Sequence, residues 1–135
     1  MNIYQIADEL IKKGMEKAKE INVPMVLAVV DEGGNLVQFQ RMEGSLLVSV
    51  NVAQGKAFTA LALNMTTEEL SKIIVPGKDI YGMEATHPGK IVAFGGGFPI
   101  RKDGKLIGGF GVSGGSVEED VTCASYALSC IEELD

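Results

Sequence analysis

Few side chains in this chain could do chemistry, and they fall in four places. His87 is the sole histidine and lies in Ala85-Thr86-His87-Pro88-Gly89. Its imidazole could ligate a metal, move a proton, or only hydrogen-bond within a loop. Lys56, in Gln54-Gly55-Lys56-Ala57, could pair with a carboxylate or hold a ligand's acid group; the plain alternative is a lysine facing solvent. Gly95-Gly96-Gly97-Phe98-Pro99 leaves backbone amides bare beside flat apolar surface. A planar or anionic ligand could lie there, and a β-corner or bulge needing positive φ uses the same composition. Ser113 ends a glycine-rich strand just before Glu118-Glu119-Asp120. Those acids serve the dipole of a helix start, and Asp120 could also reach back and hold the Ser113 loop.

Several familiar chemistries do not fit. Gly109-Phe110-Gly111-Val112-Ser113-Gly114 matches the dinucleotide pattern G-x-G-x-x-G, but that pattern works inside a βαβ unit with an acid about 20 residues on. Here only one helix follows within the sequence. Its three leading carboxylates would repel a pyrophosphate, so no nicotinamide cofactor is expected. The glycines read instead as a strand kept free of side chains where another backbone or a flat ligand comes close. The Gly-Lys pairs ending at Lys56, Lys78, Lys90 and Lys105 precede Ala57, Asp79, Ile91 and Leu106, never Ser or Thr, so there is no nucleotide P-loop. Ser113 lacks a G-x-S-x-G elbow, which argues against a serine hydrolase. Cys123 and Cys130 lie seven apart in one expected helix, a rise of about 10 Å, too far for a disulfide. They read as free thiols facing the core. With one histidine and no C-x-x-C, a zinc site is not expected.

The elements that must position these groups are legible. At 135 residues and 46% hydrophobic, the chain is expected to form one globular domain, 1–135. Its net charge of −6, with basic residues scattered, argues against nucleic-acid and membrane-surface partners. No apolar run reaches bilayer length and the N-terminus lacks a signal-type apolar region, so a cytoplasmic address is expected. Ile3, Ile6, Ala7, Leu10, Ile11, Gly14, Met15 and Ala18 form one helical stripe, with Asn2 and Gln5 as a capping box. Met25–Val30 and Leu36–Arg41 flank Asp31-Glu32-Gly33-Gly34-Asn35 as a hairpin. A long helix is expected over 45–64, and Thr66 caps a short one ending near Ile74. Residues 78–89 read as irregular. A strand is expected at Lys90–Phe94, then a hairpin of Phe98–Arg101 and Leu106–Val112 about Asp103-Gly104. Ser116, with Glu119, caps a last helix. The order α-β-β-α-α-β-β-β-α implies α+β rather than a doubly wound parallel sheet.

The succession VPMVLAVVDEGGNLVQFQRMEG, AQGKAFTALAL and GGGFPIRKDGKLIGGFGVSGGSVEEDVTCASYAL resembles the GlcG/HbpS family, which includes the C-terminal domain of PduO-type cobalamin adenosyltransferases. The likeness covers nearly the whole chain. It implies a profilin-like α+β fold, with a central antiparallel sheet and helices on both faces. It also implies self-association as a dimer or larger homo-oligomer, and haem or a related tetrapyrrole as ligand. Adenosyltransferase catalysis in such relatives belongs to a separate domain and is not expected here. On this resemblance the ligand site would draw on His87, Gly95, Gly96, Gly97, Phe98, Pro99, Lys56 and Ser113, with His87 as the iron ligand; the first helix offers no histidine. The expected role is an accessory to glycolate-, glycerol- or propanediol-type catabolism. Two alternatives stand beside it: a structural or regulatory subunit that binds a partner enzyme, and a small-molecule enzyme on a hydroxy acid or aldehyde with Lys56 or His87 as base.

Overall fold

A computed structural model describes residues 1–131; residues 132–135 of the expected domain lie outside it. Helix α1 (Ile3–Glu20) is followed by strands β1 (Val26–Asp31) and β2 (Leu36–Arg41). Helices α2 (Ser49–Leu63) and α3 (Thr67–Ile73), a 3-10 turn (Met83–Thr86), strands β3 (Gly97–Lys102) and β4 (Lys105–Ser113), and helix α4 (Val117–Ser129) complete it. The sheet is wholly antiparallel in the order β2-β1-β4-β3. The dinucleotide-like glycines of β4 therefore lie between two antiparallel neighbours, outside any βαβ unit.

Local chemistry explains the ends. Asn2, Thr66 and Ser116 each accept the N–H three residues on, and the Gln or Glu there reaches back to the cap N–H, so helix donors with no intrahelical partner are satisfied in reciprocal pairs. Asp103 (φ 53°) and Gly104 (φ 78°) are both left-handed, the geometry of a two-residue turn whose twist matches its strands.

Each face of the sheet has its own helices. Leu27, Val29, Phe110 and Val112 meet Ile6, Leu10, Cys123 and Ala124 in the larger core; these come from α1 and α4. Val26, Ala28 and Val30 meet Ala53, Ala57 and Leu61 of α2 on the other face. A Cβ on Gly109 would collide with the Ala57 carbonyl, and one on Gly111 with the Ala53 carbonyl. Bare positions in β4 thus admit the α2 backbone itself, so of the two uses read from these glycines, close approach of another backbone is the one seen.

Two element expectations are corrected. Lys90–Phe94 is not a strand. Its backbone lies on α2, where Lys90 O accepts from the Thr59 hydroxyl (3.1 Å) and Val92 N–H donates to it (2.9 Å). One buried threonine satisfies groups that a ladder would otherwise have paired. The long helix starts at Ser49, not at residue 45, because Ser45–Val48 is taken up by turns and Val48 has no side-chain oxygen with which to cap.

Candidate functional site

The structure divides the expected site residues between two places. The first is built where α2 meets the segment that leads back to the sheet. His87 follows the 3-10 turn and is exposed. Its ring centroid lies 6.1 Å from that of Phe58. The Thr86 hydroxyl donates to Met83 O at 2.7 Å and sits 2.8 Å from His87 Nδ1. A hydroxyl has one hydrogen; with that hydrogen on Met83, Thr86 Oγ1 accepts from Nδ1–H. In that arrangement Nδ1 is the donor and Nε2 is the nitrogen left for a ligand, the pattern of a metal-ligating histidine. Beside it, a cavity of about 280 Å³ is lined by Val30, Leu36, Asn51, Gln54, Phe58 and Lys90, among others. Lys90 Nζ stands 5.1 Å from the Phe58 ring centre, within cation–π range. Among the described residues, no cluster of three or more His, Cys, Asp or Glu side chains forms a metal cage, so an iron held here would depend on His87 together with the ligand's own donors.

The second place lies along the same helix, where α2 faces β4 and α4. Lys56 is wholly buried. Its Nζ donates to Asp120 Oδ2 and to Val112 O, each at 2.8 Å, and lies 5.1 Å from the Phe94 ring centre. Of the roles open to Lys56, pairing with a carboxylate is the one observed, and the solvent-facing alternative is corrected. Asp120 Oδ1 accepts Gly115 N–H at 2.9 Å, so Asp120 holds the turn after Ser113. Burial pulls the Lys56 ammonium down from its ordinary range, and the Asp120 charge opposes that shift. Burial likewise pushes the Asp120 carboxyl up against the pull of Lys56. Each charge has a further hydrogen bond beside the pair itself, Lys56 to Val112 O and Asp120 from Gly115 N–H, which is what an ion pair this deep requires.

The triglycine closes over this pair. Gly96 is left-handed (φ 126°), and a Cβ there would lie 2.6 Å from Lys56 Nζ. Gly95 faces Val117 and Val121, and Gly97 faces the Lys56 carbonyl and Thr67; Thr67 Oγ1 also accepts Gly97 N–H at 2.9 Å. In the protomer these amides are covered by the protein's own side chains, and the segment is a left-handed corner. Pro99 is buried, and Phe98 packs against the larger core. Ser113 is buried and bonds Ser49 Oγ at 3.0 Å. His87 thus stands apart from Lys56, the triglycine and Ser113, which gather around the Lys56–Asp120 pair, while Phe98 belongs to the larger core. Ser49 and Phe94 escaped the sequence reading; their residue types carry no signal, and only the meeting of α2 with β4 and α4 selects them. Both cysteines are free. Cys123 is buried as expected, and burial pushes its thiol up to about 11; Cys130 is only partly buried.

Four antiparallel strands between a helix pair and a single long helix define a small α+β domain of profilin-like class, with a histidine-flanked cavity on its α2 side. The chain matches the family described as haem degrading protein HbpS-like over residues 4–129, and it belongs to that family. A 15.0 kDa protein from the dhaT-dhaS intergenic region of Citrobacter freundii is 47% identical over 118 residues, which is 87% of this chain and 83% of that one. The corrinoid adenosyltransferase PduO of Salmonella typhimurium is 44% identical over 123 residues, covering 91% of this chain but 37% of the enzyme. The chain thus spans little more than a third of that relative. The crystal structure of a PduOC:heme complex superposes with a TM-score of 0.92 at 42% identity, covering 95% of this chain and 93% of that one. Among the described residues, no helix is long and apolar enough to cross a membrane.

Proposed function

We propose that this protein binds haem or a related tetrapyrrole, with His87 Nε2 as the iron ligand. The observation that carries the reading is the hydrogen-bond chain Met83 O, Thr86 Oγ1, His87 Nδ1. With Nδ1 engaged by Thr86, Nε2 would be the nitrogen available to iron. The likeness to the PduOC:heme complex supports the same ligand. Phe58 and Leu36 offer flat apolar surface, and Lys90 a cation for an acidic substituent. When bound, haem would bring iron-centred redox or gas-ligand chemistry; the protein holds the imidazole and shelters one face.

At about 280 Å³ the cavity is at the small end for an organic ligand. A tetrapyrrole would therefore be only partly covered by one protomer, and a second copy would supply the other wall. This supports a homo-oligomer, dimer or larger, in which the ligand lies at or near a shared surface. The role we infer is a carrier or sensor in the cytoplasm, where free thiols persist, accessory to the catabolism of a small diol or hydroxy acid. The location of the Citrobacter relative between dhaT and dhaS supports an accessory role beside other gene products.

Hemin titration tests the reading. A shifted Soret band is expected at micromolar hemin, weakened at least tenfold in His87→Ala and partly in Thr86→Val. A flat titration, or an unchanged band in His87→Ala, overturns it.

A further inference from the structure

A second cavity, of about 220 Å³, lies above the Lys56–Asp120 pair. Its walls are Leu46, Val48, Val52, Phe94 and Val117, and its floor is Ser49, Ser113 and Asp120 with the Gly114–Gly115 turn. Leu46, Val48, Phe94 and Val117 are large apolar side chains left exposed at its rim. The floor is polar and buried: Ser49 is 1% exposed, Ser113 5% and Asp120 3%.

The floor holds a spare donor. Ser49 and Ser113 share one hydrogen bond, which uses one hydroxyl hydrogen of two. Among the described residues no acceptor takes the other. Both oxygens are thereby partnered, but the second hydrogen is free to turn toward the cavity that both serines line, so an oxygen atom placed there would accept from the pair. The charge of the floor decides what kind of oxygen. Asp120 is neutralised by Lys56 at 2.8 Å, and its second oxygen is engaged by Gly115 N–H. No net positive charge remains for an anion, and Glu118 and Glu119 stand at the same helix start.

We propose that this cavity is a binding site for a small neutral molecule with a short apolar body and one acceptor oxygen, an alcohol or a ketone. The body lies against Val48, Val52, Phe94 and Val117, and the oxygen accepts from the Ser49–Ser113 pair. A volume of about 220 Å³ lies below the range of sites for drug-sized ligands, which limits the occupant to a small molecule. Its lining shares no residue with the cavity beside His87, so the site is distinct from that one and stands or falls without it.

Amide NMR on the nitrogen-15-labelled full chain, titrated with butan-1-ol, butan-2-one and butanoate in the absence of hemin, tests this. Saturable shifts at the Gly114 and Gly115 amides are expected with one or both neutral probes, and butanoate should bind at least tenfold more weakly. Which neutral probe binds tells hydroxyl from carbonyl. Ser49→Ala should weaken binding about fivefold, the scale of one hydrogen bond. Val52→Phe should abolish it by filling the space, and Val117→Phe replaces it if the first variant does not fold. Absence of saturable shifts with both neutral probes overturns the proposal. So does binding that survives in a folded cavity-filling variant, or butanoate binding as well as the alcohol.

Discussion

Lys56 and Asp120 are 64 residues apart in sequence and form an ion pair with almost no solvent access. Removing one partner leaves the other charge buried without compensation, at a cost of about 3–5 kcal/mol. Asp120→Ala should lose stability on that scale in urea unfolding. The joint replacement Lys56→Met with Asp120→Leu should cost less than Asp120→Ala, because no charge is stranded. Equal losses in both would show that the Gly115 hydrogen bond, rather than the charge, dominates. At this scale the sequence offered Lys56 several fates and could not choose among them. A lysine's burial depends on whether a carboxylate arrives from another element, and nothing near residue 56 reports that. His87 was legible as a candidate ligand by its uniqueness. Its contacts with Thr86 and Phe58 were not, because they follow from the turn at Met83–Thr86 and its approach to α2.

Elements are held apart or together by what β4 lacks. Gly109→Ala would drive a Cβ into the Ala57 carbonyl, and backbone cannot yield as a flexible side chain does. A loss of about 3 kcal/mol is expected, read as a lowered urea midpoint; a neutral result would mean that α2 can lift from the sheet at little cost. The first hairpin has its own brace. Asp31 Oδ1 accepts the N–H groups of Gly33 and Asn35, each at 2.9 Å, and these bonds, chiefly that from Asn35, hold its carboxyl below the ordinary 3.8. A depressed acid lends stability that is full above about 3.8 and is lost as pH falls through the lower folded value. Carboxyl NMR should find Asp31 titrating below 3.8. Stability of Asp31→Asn should fall less steeply than wild type through that acid range. The caps and both hairpin turns were legible because their signals sit within five residues of the structure they make. The Lys90–Phe94 strand was misread because an apolar run fits a helix surface as well as a ladder, and Thr59, thirty residues away, decided between them.

The whole molecule has a cavity too shallow to enclose the tetrapyrrole proposed for it, and large apolar side chains at Leu46, Leu47 and Val48 stay exposed. Light scattering should give a mass of at least twice that of the 14.3 kDa chain; a monomer at all concentrations would remove the shared-wall reading while leaving His87 to be tested alone. The sequence by itself determined the helices, the hairpins, the antiparallel class and the family resemblance, since periodicity, caps and turn residues act over a few positions. Only the tertiary structure decided what fills the space beside the glycines. It brought the α2 backbone against β4, put Lys56 beneath the triglycine, and separated His87 from the residues expected to join it. Those outcomes depend on contacts between elements far apart in the chain, where close approach and buried charge select one arrangement from several that local signals leave equal.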